Sequence, residues 1–153
     1  MKKQKQLYRH QPESGIYGDC MRATIACLLE LPIESVPHFL QESVDKFGRE
    51  EKAFALQSEW LGAVGYKYVE FPISSPSVRE ALDWSYVYAR GVYLLFTGMS
   101  KNLVDHVVII LNGDIVWDTA IDDSGVQGPG TDGYYRIGML IGKEFTGHDG
   151  AGG

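Results

Sequence analysis

The chain has 153 residues and a mass of 17.0 kDa, enough for one domain and too little for two of ordinary size. With 44% hydrophobic and 22% charged residues, its composition is globular, which excludes fibrous repeats and wholesale disorder. Twenty acidic against fourteen basic residues give a formal charge of -6, which speaks against a protein that tracks a nucleic-acid duplex by neutralising phosphates.

The surplus is uneven. Residues 101–153 carry three basic and eight acidic side chains, whereas the first nine hold Lys2, Lys3, Lys5 and Arg9 and no acid. This basic head has no apolar stretch behind it, so it is not a secretory signal, and it reads as a solvated, frayed terminus. The longest apolar run, residues 107–111, is far short of a membrane span. A cytoplasmic protein making no membrane contact is expected. Residues 1–146 form the expected single domain, and residues 147–153 (GHDGAGG) a disordered tail.

In chain order, the first clear element is a helix after Gly18. Met21, Ile25, Leu28 and Leu29 recur at helical steps, Asp19 stands where an N-cap belongs, and Pro32 closes the far end. Pro32 and Pro37 frame a short segment that turns onto the next helix. Residues 50–64 read as a second amphipathic helix that buries Phe54, Trp60 and Leu61, with Gly65 ending it. Residues 66–71 alternate like a strand, and residues 77–84 have a Ser start and helical spacing. Residues 91–96, 105–111, 114–117 and 134–141 are rich in β-branched and aromatic side chains bounded by Gly, Asn or Asp. Residues 120–133 have no period and form a long loop, a candidate lid. Helices first and strands later predict an α+β fold, an N-terminal helical layer packed on a C-terminal antiparallel sheet.

The chemistry centres on Cys20. The first turn of a helix presents unpaired N–H groups and a partial positive charge, and both favour a thiolate. The Cys20 N–H is also a natural donor to an oxyanion formed at an attacked carbonyl. Cys27, two turns deeper, reads as packing. Seven residues of helix separate the two sulfurs by about 10 Å along the axis, too far for a disulfide, in keeping with a reducing compartment.

A nucleophilic cysteine needs a base. Of the four histidines, His10 lies in the basic head, His148 in the Gly-rich tail, and His38 reads as a surface or capping residue after Pro37. His106 opens the apolar strand HVVIIL and is the preferred base, with Asp118 as its orienting partner. Hairpin parity tests that pairing. A two-residue Asn112-Gly113 turn with regular strands sends Asp118 to the opposite face from His106. A three-residue loop over residues 111–113 places His106 directly across from Asp118, and that loop is predicted.

A cysteine heading a helix, a distant histidine opening a strand and an aspartate on the next strand resemble the papain-like cysteine peptidase superfamily. The Gly18-Asp19-Cys20 start and the small size are most similar to its bacteriocin-leader-processing branch, and to small bacteriophage-encoded proteins of the same layout. The similarity covers residues 11–37 and 105–119. It implies a papain-like fold and hydrolysis of a peptide or other amide bond. It also implies a glutamine before the cysteine as second oxyanion donor, for which Gln11, nine residues upstream, ranks ahead of Gln6. A rival expectation on the same fold is a non-catalytic module: a phage anti-defence protein that binds a host protein or sequesters a nucleotide signal. The cysteines and histidines lack paired zinc-ligand spacing, and no phosphate-binding glycine loop precedes a helix, so no metal or cofactor is expected. Trp84, Tyr86, Tyr88, Tyr134 and Tyr135 read as sheet and core residues rather than a stacking platform.

Overall fold

The computed structural model describes residues 1–143. The fold is α+β. Three helices, α1 (Cys20–Leu29), α2 (Phe39–Phe47) and α3 (Ala53–Ala63), precede strand β1 (Tyr66–Ile73). Helix α4 (Val78–Tyr88) then leads into β2 (Leu94–Met99), β3 (Asp105–Leu111), β4 (Asp114–Asp118) and β5 (Tyr135–Gly142). The expected tail, residues 147–153, lies outside the described residues, as does His148.

The five strands form one antiparallel sheet in the order β1-β5-β2-β3-β4. Side chains alternate along each strand, and the two faces bury two separate cores. On one face Leu94, Phe96, Val108, Ile110, Tyr135 and Ile137 pack under α4. On the other, Tyr68 and its ladder partner Leu140 meet the core of α1, α2 and α3 built on Ile25, Phe39 and Leu61. The helical layer expected on the sheet is therefore joined by a further helix on the opposite face.

Helix α2 is absent from the sequence expectation. His38 caps it, Nδ1 accepting from the Gln41 N–H at 3.4 Å, and an imidazole is not among the usual N-cap side chains. The helix expected over residues 50–64 is the shorter α3. Leu61 is buried in it and Trp60 half-buried, but Phe54 is 55% exposed. Gly65, with φ 95°, follows that helix as expected. Tyr86 and Tyr88 are exposed on α4 and Tyr134 is exposed before β5; of the expected core tyrosines only Tyr135 is buried. No single helix among the described residues is long and apolar enough to cross a membrane.

The basic head is not frayed. Lys2 N–H donates to Cys27 O at 2.9 Å, Gln4 binds Leu31 O and Ile33 N–H, and Gln6 N–H donates to Thr119 O at 2.8 Å. Lys5 Nζ reaches the carbonyls of Asp118 and Ala120 at 2.9 and 2.8 Å and lies over the Trp117 ring. The arm thus straps α1 to the end of β4, through partners up to 115 residues distant.

Candidate active site

Helix α1 begins at Cys20 because the chain is pinned immediately before it. Asp19 is only 2% exposed, and it occupies the cap position without capping. Its carboxylate accepts instead from the N–H groups of Leu7 and Tyr8, at 3.0 and 2.9 Å, and pairs with Arg22 at 3.4 Å. The first intrahelical bond runs from Ala23 N–H to Asp19 O. The N–H groups of the first turn, that of Cys20 among them, are therefore left without an acceptor within the helix. Gly18 suits a close approach: its N–H donates to His10 Nδ1 at 3.2 Å, and a Cβ there would sit 3.1 Å from the His10 Cβ, close enough that His10 would have to shift. His10 is thereby held, not mobile.

His106 opens β3 opposite Gly98 of β2 and is 5% exposed. Its Nε2–H donates to Asp118 Oδ1 at 2.6 Å. The route to this pairing differs from the predicted three-residue loop. The turn is the two-residue Asn112-Gly113, both residues left-handed at φ 52° and 81°, which matches the twist of the flanking strands. The register then shifts between Ile109 and Ile110, leaving Val116 as an extra residue without a ladder partner. This bulge restores the parity that the short turn would have spoiled. Asp118 pairs with Val108, two residues along the same face from His106, so the imidazole and the carboxylate meet diagonally rather than directly across.

The carboxylate is fixed from its other side. Asp118 Oδ1 also accepts from Ala120 N–H at 2.9 Å, and Oδ2 from Gly125 N–H at 2.8 Å. Burial works against the Asp118 carboxylate, but the His106 hydrogen bond and those backbone donors outweigh it and hold its pKa below the usual carboxylate value. For His106, burial pulls the imidazolium pKa down. Hydrogen bonds to Asp118 and to Cys20, with the negative charge of both partners, override burial and push it up to about 9. Because Asp118 takes Nε2, Nδ1 is the nitrogen left for the thiol.

Cys20 and His106 together border two depressions. One, of about 590 Å³, is the more polar of the two and is walled by the N-terminal arm and the 120–133 loop, with Arg9, Gln11, Asp105 and Asp122 on its lining. The other, of about 270 Å³, is largely apolar and runs toward α2 and α3 past Phe39, Ala53 and Val107. The loop expected as a lid is stapled at several points: Met99 N–H to Gly128 O at 2.8 Å, Gln127 N–H to Met99 O at 2.7 Å, and Thr131 to the Asp105 carboxylate at 3.1 Å.

Gln11 is exposed and lines the polar depression, its backbone fixed by pairing with Ile16. Gln6 lines the same depression, but its Nε2 donates to Tyr8 O at 2.6 Å, and its buried Oε1 has no partner. Cys27 is fully buried beside the Gln4 backbone. Burial, the leading influence on its thiol, pushes the pKa up, as suits a packing residue. Both cysteines are free.

Comparison with protein-family models, with curated proteins and with solved structures found no match. The chemistry must be read from the site itself. A sulfur on an uncapped helix N-terminus, an imidazole kept protonated beside it and a fixed carboxylate behind the imidazole are the parts of a nucleophile, a base and an orienter. The structure brings together the three residues singled out from the sequence, and it uses Asp19 and Lys5 as anchors, which the sequence reading does not include. A carboxylate adjoining the cysteine was the available hint for Asp19; nothing local marked Lys5.

Proposed function

We propose that this protein is a papain-like, cysteine-dependent hydrolase that cleaves a peptide or other amide bond with Cys20, His106 and Asp118. The observation that carries the reading is the 2.6 Å bond from His106 Nε2 to Asp118, which leaves the other ring nitrogen for the thiol.

The steps follow from that arrangement. With the thiol proton on His106, the Cys20 thiolate attacks the carbonyl carbon, a C–S bond forms, and the carbonyl π electrons move to oxygen. The Cys20 N–H stabilises that oxyanion, and Gln11, a residue on the lining of the polar depression, adds a second donor. His106 passes its proton to the departing amine nitrogen as the C–N bond breaks, leaving a thioester. Water then gives a proton to His106 and attacks the thioester; the C–S bond breaks, and the acid product and the thiol are released. Asp118 stays ionised throughout and holds the ring orientation.

The test is turnover of a fluorogenic peptidyl-aminocoumarin library by the wild-type protein and by Cys20→Ala. Thiol-dependent release of fluorophore, lost in Cys20→Ala, supports the reading. Full activity in Cys20→Ala overturns it. No turnover by the wild type, together with an ordinary thiol titration near pH 8.5, moves the assignment to a non-catalytic binding module of the same fold.

A further inference from the structure

Gln57 sits on α3, 3% exposed, and lines the apolar depression that Cys20 and His106 border. Its Nε2 is buried and has no hydrogen-bond partner. An unpaired buried amide is costly, of the order of 1–3 kcal/mol, and the other buried side chain of α3, Leu61, is aliphatic. The rest of the lining is of another kind. Phe39, Ala53, Phe54 and Val107 give the depression apolar walls, and the reactive pair stands at one border. An apolar slot with one polar group and a nucleophile at its rim accepts a group with an apolar body and a polar end.

We propose that this depression is a specificity pocket for an amphipathic side chain, of the phenol type, carried by the substrate beside the bond that Cys20 attacks, and that Gln57 selects it by hydrogen bonding. A phenol suits the site because its ring fills the apolar walls, while its hydroxyl can accept from the amide N–H and donate to an amide oxygen. A phenyl ring of the same shape leaves Gln57 unpaired, and a pocket built around a hydrogen bond rejects such an analogue more strongly than it rejects a change of one methylene. The substrate assignment rests on the hydrolase reading above; the pocket and its selectivity do not.

The experiment uses chloroacetamide probes on the full chain. In each, the Cys20 sulfur forms a C–S bond as the C–Cl bond breaks and chloride leaves, the thiol proton having gone to His106. Chloroacetamide itself, its N-(2-phenylethyl) derivative and its N-[2-(4-hydroxyphenyl)ethyl] derivative are compared by the rate of Cys20 labelling, read by intact-mass spectrometry. The expected result is saturable labelling by both ring-bearing probes, with the phenol faster than the phenyl by about tenfold. In Gln57→Met, which keeps the side-chain length, that ratio falls to one or below. The ratio is the reading, so a general change in thiol reactivity cancels, and thermal unfolding of the variant confirms that it is folded. If Gln57→Met does not fold, Ala53→Phe, which fills the slot from its lining, is used, and the ring-bearing probes then lose their saturation.

Equal rates for phenol and phenyl in the wild type, or a ratio unchanged in Gln57→Met, overturn the proposal. So does the absence of any ring effect. Failure of the hydrolase reading looks different: no amide turnover and an ordinary thiol profile with plain chloroacetamide, while the phenol preference persists.

Discussion

Asp118 and His106 meet on the diagonal of the β3–β4 ladder: Asp118 pairs with Val108, yet its Oδ1 lies 2.6 Å from His106 Nε2. The contact depends on one unpaired residue, Val116, and on the backbone donors of Ala120 and Gly125 that hold the carboxylate still. Asp118→Asn keeps the shape but removes the charge. The His106 pKa, read by NMR titration of the ring carbons, is expected to fall from about 9 toward the ordinary value of about 6.5. Amide turnover is expected to drop by roughly 10²–10⁴-fold, since the ring loses its fixed tautomer.

The same pair makes stability depend on pH. His106 has its folded pKa raised to about 9, so the folded state binds the extra proton between about pH 6.5 and 9. Its contribution is complete below about 6.5 and is lost as pH rises through about 9. Asp118 has the opposite sign: its folded pKa is lowered, so its contribution is present above the unfolded carboxylate value near 4 and is lost at more acidic pH. Urea unfolding should show greatest stability from this pair between about pH 4 and 6.5, with a decline of at most about 3 kcal/mol by pH 9.5. In His106→Gln the alkaline decline should be smaller.

Asp19 and Lys5 tie the N-terminal arm to the site from two sides. Asp19→Ala removes the acceptor of the Leu7 and Tyr8 N–H groups and the carboxylate beside Arg22, whose Nε keeps the Ile33 and Val36 carbonyls, and should cost about 1–3 kcal/mol in urea unfolding. Lys5→Met removes the donor to the Asp118 and Ala120 carbonyls while keeping the stem over Trp117. It should lower stability less and slow Cys20 alkylation at neutral pH, with partial rescue by Lys5→Arg.

Gly98 stands opposite His106, and the loop backbone crosses close to it: a Cβ there would collide with Gly128 O and lie 2.6 Å from Val126 Cγ1. Gly98→Ala must therefore push the 126–128 segment away from β2. A loss of roughly 1–3 kcal/mol is expected, together with faster amide exchange at Gln127, whose N–H is bonded to Met99 O.

Gln11 and Gln6 separate by the same logic. Gln11 is exposed and lines the polar depression, so Gln11→Ala should reduce kcat by roughly 10-fold or more with little change in KM or stability. Gln6 is wired to Tyr8 and Thr119, so Gln6→Ala should register chiefly in the unfolding midpoint.

What could be read in advance was local. Helix α1 was marked by its apolar spacing and closing proline. The β3 and β4 strands, and to within a residue or so β5, were marked by β-branched runs between turn residues. Cys20, His106 and Asp118 stood out because each is a reactive type at the end of such an element. Helix α2 stayed hidden behind an imidazole cap, and Phe54 carries a helical apolar pattern yet lies exposed. The anchoring of the arm uses main-chain donors and a lysine that finds carbonyls more than 110 residues away, which no local pattern encodes. The hairpin shows the limit most sharply: turn length alone predicts a three-residue loop for the facing of Asp118, but the molecule obtains it with the shorter turn and a bulge.

The central claim is that His106 activates the Cys20 sulfur. Its most direct measurement is the rate of iodoacetamide alkylation of Cys20 from pH 5 to 10 in the wild type and in His106→Gln. The account predicts alkylation at pH 6.5 at least about tenfold faster in the wild type, with a further change in rate as His106 loses its proton near pH 9. Superimposable profiles, both rising with a single midpoint at the free-thiol value of about 8.5, would contradict it.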